Sequence, residues 1–185
     1  MITLDNYLEV ITERLAPYYD VHRNETAAGE KWDLLAHFKM RNEKYFFVKE
    51  INLFAYENHE IVLVRGADRV TTEVALQFCA GMKKAVNDLV RPSDEHMSTM
   101  VTGVLAATGG ITPQGRQIIE SYRYSRNFRF LLQGWCDVRL LAVDLTAHEV
   151  YSNKGGRAVR EAYCIPQGKE AQAGTSLASD CFVSG

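Results

Sequence analysis

The chain has little of what usually announces a specialised class. Its four cysteines, Cys79, Cys136, Cys164 and Cys181, are scattered, with no CxxC and no Cys/His pair at zinc-finger spacing. Neither a disulfide framework nor a zinc module is expected, and the thiols read as reduced, small core residues. Apolar runs such as IVLV at 61–64 and VLAA at 104–107 are far short of the roughly 20 residues a membrane helix requires. The opening MITLDNYLEVITERLAPYY lacks a basic leader and a small-residue cleavage site, so a cytoplasmic setting is the expectation. A net charge of -2 and a pI near 6.2 supply no global field toward nucleic acid or an anionic membrane.

Signatures of catalysis are also missing. No serine or cysteine stands in a GxSxG elbow, so nucleophilic catalysis has no support. A nuclease reading would take Asp33 and Glu50 as metal-binding carboxylates, and it requires a carboxylate followed two positions later by lysine. No Asp or Glu here meets that spacing, and the nearest approach, Asp137-Val-Arg139, offers a guanidinium that cannot act as the adaptable amine. A divergent metal-dependent hydrolase is therefore the weakest of three functional readings. His59-Glu60 and His148-Glu149 read as polar hairpin turns rather than ligands, and Asp20 with His22 on one strand face makes no site. No metal and no cofactor are expected.

What is present is a well-patterned domain. With 46% hydrophobic and 24% charged residues in 185, the chain can bury a substantial core as one unit. Leu4, Tyr7, Leu8, Ile11 and Leu15 recur at helical spacing behind a Thr3 cap, which predicts a helix over 4–15. DLLAHFKM, YFFVKEINLFAY and IVLVRG, separated by RNEK and ENHE, predict an antiparallel meander. Beyond Asp68, taken as an N-cap, Val70, Val74, Phe78, Met82 and Val86 define a long helix at about 69–90. The polar RPSDEHMS is the best internal boundary. MVTGVLAAT then predicts a strand, Thr112-Pro113 opens a helix at 113–123, and FRFLLQGW, VRLLAVDL and EVYSN predict three more strands. Trp135, after Gly134, is expected to be buried. The stretch 167–185 has no period.

HEIVLVRGADRV at 59–70 and HEVYSNKGGRAV at 148–159 share four of twelve residues at an offset of 89. The fold expectation is accordingly one α+β domain over 1–166: an antiparallel sheet, with two related meander units in 17–92 and 96–165 if the echo is a true repeat, and flanking helices.

The most chemical stretch is TGGITPQGRQIIESYRYSRNFRF, residues 108–130. A Gly-Gly turn entering a helix presents backbone N–H groups and a dipole end that suit an anion. Gly109, Gly110, Thr112 and Arg116 are the candidate ligand residues there, joined downstream by Arg123, Arg126 and Arg129, which alternate with aromatic residues as a single-strand binder's would. The competing account is a strand-to-helix turn followed by a strand with Phe128 and Phe130 inward. Gly134-Trp135, Val143-Asp144-Leu145 and Asn153 with Gly155-Gly156 resemble the C-terminal half of a bacterial and archaeal family carried under a domain-of-unknown-function label, mainly over residues 127–156. That resemblance implies no activity and no catalytic residue. The leading expectation is a non-enzymatic binding or assembly module, a homo-oligomer with no membrane partner. A binder of phosphate ligands or single strands using 108–130 is second.

Overall fold

A computed structural model describes residues 2–38, 58–90, 98–127 and 135–165. The order is α1 (Leu4–Leu15), β1 (Tyr19–Ala27), β2 (Glu30–Phe38), β3 (Asn58–Ala67), α2 (Thr72–Leu89), β4 (Ser98–Ala107), α3 (Pro113–Ser121), β5 (Ser125–Asn127), β6 (Trp135–Asp144), β7 (Glu149–Ser152) and a 3-10 helix (Gly155–Tyr163). One seven-stranded sheet runs β1-β2-β3-β4-β6-β5, with β7 also on β6.

The expected antiparallel sheet is a mixed one. β1, β2 and β3 pair antiparallel, but β3–β4 and β4–β6 are parallel. The reason is the connections: α2, and then α3 followed by β5, carry the chain back toward the end where each preceding strand began, and a strand entered that way lies parallel to its predecessor. Parallel strands covered on both faces read as continuous apolar runs. Ile61 and Leu63 face one core layer, while Val62 and Val64 face the other. Phe78, Met82 and Ile119 from α2 and α3 cover the first layer, and Tyr7, Leu8 and Ile11 from α1 with Val159 and Tyr163 from the 3-10 helix cover the second. Gly103 lets α2 come close, since a Cβ there would stand 2.5 Å from Met82 Sδ.

Local signals placed the helix starts. The Thr3 and Thr112 hydroxyls accept from Asn6 N–H and Gly115 N–H, and Pro113 sits in the first turn of α3. For α2 the cap is Thr71, accepting from Val74 N–H, rather than Asp68. α1 also clasps the 3-10 helix: Tyr7 Oη donates to Tyr163 O, and Arg14 Nη1 donates to Ala162 O and Cys164 O.

Several expectations move. His59 and Glu60 lie within β3, not at a turn, because the strand begins at Asn58. His148 does sit in the β6–β7 turn, at φ 58. Trp135 opens β6 half-buried, paired opposite the short, exposed β5, so only part of its ring is covered. The buried tryptophan is Trp32. The two halves of the echo occupy different elements, β3 with the approach to α2 and β7 with the 3-10 helix. YFFVKEINLFAY, Arg91–Met97, Phe128–Gly134 and the 167–185 tail lie outside the described residues.

Asn153 completes the outer side of β6. β5 pairs with residues 135–137 and β7 with 141–144; between them Val138 N donates to Tyr124 O and Leu140 O accepts from Asn153 N, which leaves Val138 O and Leu140 N to be met by a side chain. Buried Asn153 spans the gap: its Oδ1 accepts from Leu140 N and Gly156 N, and its Nδ2 donates to Val138 O and Tyr122 O. Gly156 must be glycine for that approach, since a Cβ would stand 2.8 Å from Leu140 O.

Candidate functional site

Gly109, Gly110, Thr112 and Arg116 gather where β4 ends and α3 begins, at the C-terminal end of the parallel strands. Most of the donors that would hold an anion there serve the fold. Thr108 N donates to Ala67 O, Gly109 N to Asp68 O and Thr112 N to Val70 O, while Gly110 O accepts from Val70 N. Pro113 has no N–H to offer, and Gly115 N is taken by its own cap. Gly109 is glycine because a Cβ would stand 2.8 Å from Asp68 O, and Gly110 because its φ is +88°. Arg116 stacks on Tyr151, 4.1 Å from guanidinium carbon to ring centroid, and donates to Glu120 Oε1 at 3.0 Å.

Asp144 closes the same end. Its Oδ2 accepts from Ile111 N, and its Oδ1 accepts from Thr146 N, Thr146 Oγ1 and Ala147 N. Burial alone would raise this carboxyl's pKa, yet these bonds outweigh it and hold the pKa below the ordinary value. A depressed carboxyl contributes stability above the unfolded pKa and loses it as pH falls through the folded one. Asp144→Asn should therefore cost about 1.5 to 3 kcal/mol near pH 7, with the gap to wild type narrowing below about pH 4. Urea midpoints measured across that range check it, and a gap independent of pH would show that the carboxylate charge is not involved.

Arg126 lies at the other end of β6, and Arg123 lies between, next to Tyr122, whose carbonyl is bonded by Asn153 beside the middle of that strand. Arg126 pairs opposite Cys136, whereas Ala107, just before the Gly-Gly turn, pairs opposite Asp144. Eight residues of strand separate those positions, about 26 Å at about 3.3 Å per residue. Arg123 Nη1 donates to Glu120 O and Tyr122 O at the end of α3, and Arg126 Nη1 donates to Asn87 Oδ1 of α2. Arg129 lies outside the described residues. The seven candidate residues are thus not assembled around one point.

The other candidates have structural duties. Asp33 Oδ2 accepts from Gly66 N at 2.7 Å, extending the β2–β3 ladder, and Glu50 lies outside the described residues. No three His, Cys, Asp or Glu side chains among the described residues are grouped to hold a metal. Burial pushes the Cys79 thiol up to about 11 and the Cys136 thiol to about 12, so neither supplies thiolate near neutral pH.

The most unusual chemistry was not singled out from the sequence. Glu60 on β3 reaches across β4 to Arg139 on β6, with Nη1 donating to Oε1 at 3.3 Å and side-chain exposures of 7% and 13%. Thr102 on β4, directly opposite Arg139, is small enough to let the pair pass over it and donates its hydroxyl to the same Oε1 at 3.0 Å. Tyr19 brings its hydroxyl to this carboxylate, and burial first, then that negative neighbour, holds its ionisation well above the usual phenol range. Tyr163 is raised for the same reasons in the same order. The one available sign was Asp137-Val-Arg139, which placed a cation within a predicted strand; its partner lies 79 residues earlier.

The chain matches the family described as a domain of unknown function, DUF8052, over residues 3–165, and it belongs to that family. No curated protein and no solved structure matches it. The matched span holds every element from α1 to the 3-10 helix, including Gly110, Asp144, Asn153 and Gly156.

Proposed function

We propose that this DUF8052 domain is a non-enzymatic binding or assembly module, acting by recognition rather than bond-making. The observation that carries the reading is that the charged groups Asp144, Glu60 and Arg65 are each committed to partners within the chain. Asp144 accepts four hydrogen bonds. Glu60 holds Arg139 and Thr102, and Arg65 stacks 4.3 Å from the Trp32 centroid while bonding Lys31 O and Glu30. A general base or nucleophile needs a poised pKa and a free face, and these groups serve packing instead. The buried, protonated thiols of Cys79 and Cys136 suit a reducing cytoplasm, and no helix among the described residues is long and apolar enough to cross a membrane.

Binding is better supported than assembly. The β1 edge carries Asp20, Arg23 and Glu25 and has Asn24 at φ 56, and charge with backbone distortion opposes edge-to-edge pairing. Tyr18, 51% exposed, follows α1, whereas Leu76, 55% exposed, is on α2 across the sheet, so they form no common patch. A homo-oligomer would use another face.

The exposed Arg123 and Arg126 beside Tyr124 favour a second reading, binding of phosphate ligands or single strands. The test measures a labelled oligonucleotide and a nucleotide mixture against wild type and the Arg123→Ala/Arg126→Ala/Arg129→Ala variant, at low and physiological salt, with light scattering for mass. We expect no salt-sensitive binding and a variant that folds. Tight binding that weakens steeply with salt and vanishes in a folded variant would install the second reading, and a mass at the 20.9 kDa of one chain would remove assembly.

A further inference from the structure

We infer that the outward surface of the layer formed by α1 and the 3-10 helix is the docking face for a second copy of this chain, seated by a twofold axis. The inference rests on the assembly half of the reading above and gives it a face and a partner.

Two rows of opposite charge lie on that layer. Asp5, Glu9 and Glu13 are exposed on α1, and residues four apart are neighbours on a helix surface. Lys154, Arg157 and Arg160 are exposed on the 3-10 helix and at its cap, where Lys154 already has helical backbone angles. Their spacing of three matters because side chains at i and i+3 eclipse in a 3-10 helix, so the cations form a straight comb while Gly156 and Val159 take the buried side. An α-helix would turn each successive cation away by about 60°. Runs of 3-10 helix beyond about four residues are uncommon, and this one extends over nine. The two rows also match in pitch: four residues at about 1.5 Å in α1 and three at about 2.0 Å in the 3-10 helix both set successive charges about 6 Å apart.

Neither row is answered within the chain. Among the described residues the side chains of Glu9, Glu13, Lys154, Arg157 and Arg160 form no ion pair, and Asp5 keeps 87% exposure beside Arg23. Arg14, the cation of α1, is turned to Ala162 O and Cys164 O, which fixes the two elements against each other. A copy of this chain is the partner that answers both rows together. In a twofold interface residue i meets j and j meets i, so the acidic row of each protomer meets the basic row of the other. An acidic polymer drawn to the basic row would face Glu9 and Glu13 on the same layer, and a basic one would face Arg157 and Arg160. The net charge of -2 puts little repulsion between copies, and Tyr18, 51% exposed just after α1, offers apolar contact. Exposed complementary charges set orientation and encounter more than affinity, so the dimer is weak and sensitive to salt.

Sedimentation equilibrium of the full chain at about 0.01 M and about 1 M salt, between which the screening length falls from about 30 Å to about 3 Å, tests the face. Wild type should dimerise at low salt with a dissociation constant of about 100 μM or tighter, and at least about tenfold more weakly at high salt. Glu9→Lys/Glu13→Lys and Arg157→Glu/Arg160→Glu alter exposed side chains, so both should fold, as urea unfolding will show, and each alone should be monomeric. Mixed in equal amounts, the two variants should form a one-to-one dimer, because reversing one row in each chain restores complementarity at both contacts. Monomer mass for wild type in low salt at several times that constant, a dimer that salt does not weaken, or a mixture that stays monomeric would overturn the inference. A dimer retained by each variant alone would overturn this face while leaving an assembly module that uses another. A labelled oligonucleotide bound by monomeric wild type and lost in Arg157→Glu/Arg160→Glu would replace the second copy with a polyanion and leave a binding module in place.

Discussion

Asn153→Ala is expected to lower the unfolding free energy by about 3 to 5 kcal/mol, since it strips partners from four backbone groups at once. Leu140 N, Gly156 N, Val138 O and Tyr122 O all bond the Asn153 amide, and a buried backbone group left unsatisfied costs about 1 to 3 kcal/mol. Water entering the vacated space offsets part of that sum, which is why the expected total is below four full penalties. The amide is needed as an amide: two acceptor bonds and two donor bonds are used, and only Asn among residues of this size supplies both. Asn153→Asp keeps the acceptors and loses the donors, so it should be no better than alanine at neutral pH. Urea midpoints for both variants check this, and a loss under about 1 kcal/mol would show that the middle of β6 finds another partner.

A second large loss, about 4 to 5 kcal/mol, is expected for Trp32→Ala. The ring is 1% exposed and meets Phe78 edge-on at 6.1 Å between centroids, joining β2 to α2. Arg65 also stacks over the Trp32 ring, and Trp32 Nε1 donates to Ala27 O at 3.2 Å. Removing it creates a large cavity and also ends an aromatic pair and a cation-π contact. Trp32→Phe keeps the apolar bulk and should cost about half as much. Trp135→Ala should cost less than Trp32→Ala, because that ring is only half-buried at the start of β6. If thermal or urea unfolding ranked Trp135 above Trp32, the assignment of the α2-facing layer as the main core would be wrong.

Trp32 and Trp135 also show where sequence reasoning stops. Each stands in a run that alternates like a strand, and a strand with one residue inward is the same string whether its partners cover it or end short of it. β2 lies between β1 and β3, whereas the first residues of β6 face the three-residue β5 on one side. The β1–β2 hairpin was equally hard to see. Its turn is Ala28-Gly29, with both φ values positive at 55° and 71°, and alanine in a position that favours Asn, Asp or Gly hides the usual signal.

Helices α1 and α3 were legible to within two residues because their information is local: a threonine cap, a proline in the first turn and an apolar stripe all lie within a few residues of one another. The strands β4, β6 and β7 were legible for a related reason, since an apolar or alternating run bounded by turns is a property of neighbours in sequence. By itself, then, the sequence determined that the chain makes an α+β domain, where several of its elements fall, and its resemblance to a family of unknown function. Tertiary structure alone decided that the centre of the sheet is parallel and that the Gly-Gly turn is sealed by backbone and by Asp144. It alone placed Asn153 across a gap in a ladder, and brought Glu60 and Arg139 together beneath three tyrosines. Those outcomes depend on residues tens of positions apart meeting through strand order and register, and nothing in a local pattern encodes which distant strand will become a neighbour.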